Sequence, residues 1–182
     1  MAELLITPSQ TIGPFFKYGL TWEGGEKLFP ESAPGRHIRI AGVVTDAKGE
    51  PMPDSLIEFW QADAGGTLAP ARAGASGGFG RVATDGAGRY AISTVYPGQV
   101  AGADGRKQAP HVLVVLFARG LLAQVVSRIY FEGEAANRDD AVLAACGARG
   151  ATLIARRDPR AADSYVWNVS LQGPNETVFF DA

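Results

Sequence analysis

Two histidines, a single cysteine and an arginine set among apolar residues are where this chain of 182 residues could do chemistry. His111 follows Pro110 and opens the apolar run Val112–Phe117; His37 opens another strand-like run. A transition-metal site of ordinary type needs several His or Cys donors, so these two histidines and Cys146 supply very few. Each histidine reads first as a structural residue at the start of a strand. Cys146 falls on the apolar stripe of a short helix, where a small buried hydrophobe is the default. Arg128 is different. It sits in Val125-Val126-Ser127-Arg128-Ile129-Tyr130-Phe131, on the same face as Val126 and Tyr130 by strand alternation. A guanidinium in such a setting must pair with a carboxylate or reach an anionic ligand, because burying it alone is very costly. An intrachain salt bridge and a ligand contact both satisfy that demand.

Other chemistries lack their residues. No lysine follows a glycine, so no phosphate-cradling loop ends in Gly-Lys. Gly74–Gly80 has neither dinucleotide-loop spacing nor a helix after it and reads as a plain loop. There is no Gly-x-Ser-x-Gly elbow. Asn168-Val169-Ser170 and Asn175-Glu176-Thr177 match a glycosylation sequon, without meaning in a cytoplasmic chain. Arg156-Arg157-Asp158 reads as a solvated turn.

The elements that would position these residues are mostly strands. Residues 1–36 form an irregular arm, in which Pro8 and Pro14 bias Thr7 and Gly13 toward extended backbone. The arm carries Phe15, Phe16, Tyr18, Leu20 and Trp22, and exposed aromatics at that density usually dock, on the chain's own body or on a neighbour. From His37 the period is that of strands, through 37–44, 55–60, 82–84, 90–94, 112–117, 124–131, 152–155, 165–171 and 177–180. Asp85-Gly86-Ala87-Gly88 is a hairpin signal, and continuous apolarity predicts Val112–Phe117 to be buried on both faces. The turn-bounded spacing predicts a mainly β fold, a β-sandwich core of about eight strands with an extended N-terminal arm and one short helix. That helix would be N-capped by Asn137, carry Asp139 and Asp140 in its first turn, present Val142, Leu143 and Cys146, and stop at Gly147. The division is an arm, 1–36, and one domain, 37–182.

Composition narrows the class further. Seventeen basic and nineteen acidic residues leave a net charge of -2, which points to neither nucleic acid nor an anionic membrane. No apolar run approaches the ~20 residues that span a bilayer. The start lacks the basic-then-apolar build of a signal peptide, and one cysteine allows no internal disulfide. A soluble, cytoplasmic chain is expected.

Five segments taken together resemble one family. They are Thr7-Pro8-Ser9-Gln10-Thr11-Ile12-Gly13-Pro14, Phe59-Trp60-Gln61-Ala62-Asp63-Ala64-Gly65-Gly66, Ala109-Pro110-His111 through Gly120, Ser127–Phe131 and Gln172–Asp181. In that order, nearly end to end, they resemble the alpha chains of protocatechuate 3,4-dioxygenases, within the intradiol aromatic-ring dioxygenases. The resemblance implies a heteromer of alpha-beta units in which a homologous beta chain binds ferric iron, Fe(III), through two tyrosines and two histidines. It implies that O2 cleaves protocatechuate between its hydroxyls to 3-carboxy-cis,cis-muconate, both oxygen atoms being incorporated. It also implies that this chain binds no metal. Leu68 stands where the first tyrosine would be, Val100 lies in the stretch after Pro97-Gly98 that would hold the second, and Leu113 replaces the second histidine of a His-x-His pair, leaving His111 alone. Tyr96 precedes Pro97-Gly98 and is not in the ligand position. What the family keeps in the alpha chain is part of the pocket wall, here Thr11, Gly13, Pro14 and Phe15 on the arm and Arg128 on its strand. Phe15 departs from the tyrosine often found there, so a hydroxyl contact would be lost.

Two other functions fit the same sequence: a catalytically silent β-sandwich serving as a binding or structural module, and an alpha-type subunit acting on another catechol.

Overall fold

Nine residues of alternating character form β1 (His37–Thr45), and the rest of the sheet is arranged about it. Residues 9–13, 15–68, 77–102 and 105–181 are described by the computed structural model. Antiparallel to β1 runs β4 (Arg89–Val95), in register from His37 opposite Val95 to Val43 opposite Arg89. On the other side of β1, two short parallel strands follow one another, β10 (Ser164–Val166) and β11 (Val169–Ser170). Between them lies Trp167, whose carbonyl accepts from Tyr90 Oη at 2.7 Å. A Cβ at Gly42 would come within 1.8 Å of that carbonyl, so glycine is required there. The order continues through β9 (Ile154–Arg157), β8 (Val125–Phe131), β7 (Val112–Phe117) and β2 (Leu56–Gln61) to β3 (Phe79–Ala83). A separate two-stranded hairpin pairs β5 (Val100–Ala101) with β6 (Lys107–Gln108).

The two free edges, β3 and β4, nearly meet. The arm fills the gap. Arg81 of β3 donates its N–H to the Gly25 carbonyl at 2.8 Å, while Ser93 of β4 exchanges backbone hydrogen bonds with Glu26 and Leu28. Pairing an edge with another segment removes unsatisfied backbone groups and the risk of intermolecular pairing. Leu28 itself is fully buried, a gain of roughly 1.5–3 kcal/mol for a side chain of that size. The result is a nearly closed sheet about one core, whose members include Ile40, Phe59, Ile92, Val114, Ile129, Phe131, Tyr165 and Trp167. The mainly β architecture expected from turn-bounded strands is thereby observed.

Several local expectations are corrected. Asp85–Gly88 does form a tight turn, with Asp85 Oδ1 accepting from the N–H groups of Ala87 and Arg89. It joins no hairpin: β3 pairs with β2 and β4 with β1, because the turn moves the chain from one end of the sheet order to the other. Val112–Phe117 is buried on alternate residues only. Its outer residues Leu113, Val115 and Phe117 are half-buried, so its continuous apolarity serves two different surroundings. Thr177–Phe180 makes one β-bridge, Phe180 to Val126, and hydrogen bonds with the side chains of Ser127 and Thr152, and is not a strand. Arg156 and Arg157 end β9, not a turn.

In the arm, residues 15–20 form a short helix, α1 (Phe15–Leu20), against the expectation of extended backbone. Pro8 and Pro14, on which that expectation rested, lie outside the described residues. The second helix, α2 (Ala141–Ala145), is shorter than expected and is N-capped by Asp140, which accepts from Leu143 N, instead of by Asn137. Asn137 belongs to a preceding 3-10 turn (Ala135–Asp139), and its side chain donates to the Phe131 carbonyl. Gly147 follows the C-cap with φ +56°, a left-handed conformation that suits glycine. No helix among the described residues is long and apolar enough to cross a membrane.

Candidate functional site

The outer face of β7 and β8 carries the residues that sequence alone marks out. Arg128 stands opposite Leu113, and Val126 opposite Val115. Where Ile129 and Phe131 point into the main core, Tyr130 points outward into a smaller one with Ala109 and Leu153, bordered by Leu143, Cys146, Val178 and Phe180. Arg128 lies beside this second core, half-buried.

Arg128 forms no ion pair within 4 Å among the described residues; its charge is met indirectly. Nη1 donates to Gln108 Oε1 at 3.1 Å and to Tyr130 Oη at 3.3 Å. Tyr130 Oη in turn donates to Asp140 Oδ1 at 3.1 Å. Burial pushes the Tyr130 phenol up to about 12, so it keeps its proton at neutral pH and remains a donor. The guanidinium lies 6.0 Å from the Phe180 ring, within cation–π range. A guanidinium has five N–H donors, two of them on Nη1. Among the described residues Nε and Nη2 make no hydrogen bond, and that edge has the fork geometry that takes a carboxylate bidentately.

His111 sits next to this group, its ring 5.7 Å from that of Tyr130. Nδ1 lies 2.8 Å from the Ala109 carbonyl. A carbonyl can only accept, so Nδ1 carries the proton. Burial holds the imidazole below the usual histidine range, and the Arg128 charge adds to that. The stretches named as ligand positions approach one another through loop contacts. Gly98 N donates to the Asp63 carbonyl at 2.8 Å, and a Cβ on Gly66 would lie 2.1 Å from the Gln99 carbonyl. Leu68 therefore follows a loop that touches Gln99, the residue before Val100 and β5, and Leu113 is paired with Trp60 at the end of β2 that opens that loop. Ferric iron needs hard anionic or imidazole donors. Hydrocarbon side chains at Leu68, Val100 and Leu113, beside one histidine already bonded to a carbonyl, do not fit it. Tyr96 donates to Glu134 Oε2 at 2.9 Å and packs 4.6 Å from the Phe131 ring.

The arm docks elsewhere on the same sheet. Gly120 N donates to Thr11 Oγ1 at 2.6 Å, and the Phe16 ring lies 5.3 Å from that of Phe117. Between them is a groove of about 170 Å³ bounded by Gln10, Ile12, Phe16, Phe117 and Leu121. Phe15 is 83% exposed. Gly13 has nothing within 4 Å of where a Cβ would be, so no close approach among the described residues calls for glycine there. Pro14 lies outside the described residues. Phe117 is four residues along β7 from Leu113, about 13 Å at strand rise. The structure thus gathers Thr11, Gly13 and Phe15 at one end of the face and Arg128 further along it, without a hydrogen bond or ion pair joining them.

Nothing in the sequence marks Gln108 or Asp140 as neighbours of Arg128. An aspartate directly before the apolar Ala141–Ala145 was a cap signal, but nothing local ties it to β8. A concavity of about 410 Å³ lies against β1 and β4 with Lys27, His37 and Asp163 in its wall. It contains none of these residues, and its open shape gives it no chemistry of its own.

Known proteins resemble this chain in sequence and in fold. A family model described as dioxygenase matches residues 13–173. The protocatechuate 3,4-dioxygenase alpha chain of Burkholderia cepacia is 41% identical across 100% of both chains. The beta chain from the same organism is 33% identical over 55% of this chain and 46% of its own length. Among solved structures, the dioxygenase domain of a dioxygenase–carbohydrate-binding fusion from Streptomyces sp. SirexAA-E has a TM-score of 0.65 and 24% identity, covering 81% of this chain and 87% of that one. At that identity the likeness is one of fold.

Proposed function

Because the chain belongs to the intradiol dioxygenase family, alongside protocatechuate 3,4-dioxygenase alpha chains, we propose that it is the subunit without metal in a two-chain enzyme of that kind. Ferric iron is held by a homologous beta chain, and this chain supplies part of the wall against which the aromatic substrate is held. The substrate is a catechol bearing a carboxylate, protocatechuate, opened between its hydroxyls by O2.

The observation that carries this reading is Arg128. It is a cation on a largely apolar outer face, with Nη1 satisfied from within and its Nε–Nη2 edge without a hydrogen-bond partner among the described residues. A carboxylate reaching that edge gains two charge-assisted hydrogen bonds and a fixed ring orientation. The iron, when bound by the beta chain, activates the catechol toward oxygen; the work of this chain is to orient the ring and shield it from water. The exposed Phe15 and the unfilled surroundings of Gly13 suit an arm that covers a partner's surface. The lack of donors at Leu68, Val100 and Leu113 supports assigning the metal to the other chain.

Titration tests the pairing. Purified chain added to iron-loaded beta chain should raise protocatechuate-dependent O2 uptake to a plateau near one alpha per beta. Uptake that does not depend on added alpha chain would overturn the reading. Uptake stimulated only with an uncharged catechol would move the substrate assignment.

A further inference from the structure

Asp140 is 1% exposed, yet it forms no ion pair among the described residues. A buried carboxylate is stable only when hydrogen bonds replace its lost hydration, and here three donors come from three separate segments. Leu143 N at 2.9 Å and Tyr130 Oη at 3.1 Å reach Oδ1, and Ala109 N at 2.8 Å reaches Oδ2. The Leu143 bond is the helix cap. The other two lead to Arg128. Tyr130 is one acceptor of Nη1, and Ala109 directly follows Gln108, the other.

The geometry points to Asp140, Tyr130 and Gln108 as positioning residues that hold the Arg128 guanidinium with its Nε–Nη2 edge turned out toward the carboxylate of an aromatic substrate. Asp140 fixes the Tyr130 hydroxyl on one side and the end of β6 on the other, so both Nη1 hydrogens are directed and the long side chain is ordered before substrate arrives. Preorganisation of that kind removes the entropy cost of ordering an arginine at the moment of binding. Formal charge follows the same logic. The carboxylate is one hydroxyl away from the guanidinium, near enough to hold it in place and too indirect to neutralise the outward edge. This inference rests on the reading of Arg128 as a substrate contact.

The test is made in the assembled alpha-beta enzyme, with steady-state KM and kcat measured on protocatechuate and on catechol, which lacks the carboxylate. Tyr130→Phe keeps the ring and removes the relay. It should raise KM for protocatechuate about three- to tenfold, the range for one lost hydrogen bond of this kind, with kcat and the KM for catechol unchanged. Asp140→Asn, which keeps an acceptor for the helix cap, should act in the same direction. Gln108→Met removes the other acceptor outside the second core and gives the same reading if Tyr130→Phe does not assemble. A general loss of structure would shift both substrates together and would overturn the inference. So would an Arg128→Gln enzyme with a raised protocatechuate KM beside unaltered Tyr130→Phe and Gln108→Met enzymes. If Arg128→Gln itself leaves protocatechuate KM unchanged, the reading of Arg128 fails first, and the relay with it.

Discussion

Replacing Arg128 by glutamine in the assembled enzyme is expected to lower kcat/KM for protocatechuate by about 10- to 150-fold, the equivalent of ~1.5–3 kcal/mol for hydrogen bonds to a charged group. The loss should fall mainly on KM, since the contact is to a carboxylate remote from the bonds that break, and the same interaction is present in ground and transition states. Catechol, with no carboxylate, should be turned over almost as before. Added salt should weaken protocatechuate binding in the parent enzyme more than in the variant, because one charge pair is gone. The fold should tolerate the change. Arg128 is half-buried and makes no ion pair among the described residues, and glutamine can still donate toward Tyr130 or Gln108. A variant with less than a twofold change on protocatechuate would remove the residue from the pocket.

Deleting residues 1–16 should leave a folded chain that fails to support turnover. The deletion removes the Thr11–Gly120 hydrogen bond and the Phe16–Phe117 contact, both near the surface, at a cost of about 1–3 kcal/mol. It leaves Gly25–Leu28, which close the sheet between β3 and β4. Thermal unfolding of the isolated chain should therefore remain cooperative, lowered by several degrees. In the assembled enzyme the arm is proposed to cover the substrate site, and loss of a positioning wall can cost about a hundredfold in rate. Oxygen uptake at saturating iron-loaded beta chain is the measurement. Unchanged uptake would restrict the arm to packing on its own domain.

How far these features could be read in advance depended on the distance over which they are determined. Strands with turn residues at both ends, such as His37–Thr45, were legible because alternation is local. The Asp85–Gly88 turn was legible as a turn, but where its flanking strands pair is decided by the whole sheet, and they pair apart. Val112–Phe117 was read as buried on both faces because periodicity cannot distinguish a second core from an outer face partly covered by Phe16 and its neighbours. Arg128 stood out as a charge among apolar residues. Its partners did not, since Gln108 lies twenty residues away on a two-stranded hairpin and Asp140 returns on a helix folded over β8. Leu68, Val100 and Leu113 carried meaning only against a family pattern; nothing in their own chemistry marks them as former ligand positions.

Iron content decides the central claim, that this chain is a partner to a metal site and not its holder. The chain purified alone, after exposure to ferric iron and desalting, should retain far less than one iron per chain. It should be colourless, lacking tyrosinate-to-iron absorption, and should consume no O2 with protocatechuate. Stoichiometric iron with a visible band and ring cleavage by the isolated chain would contradict the account outright.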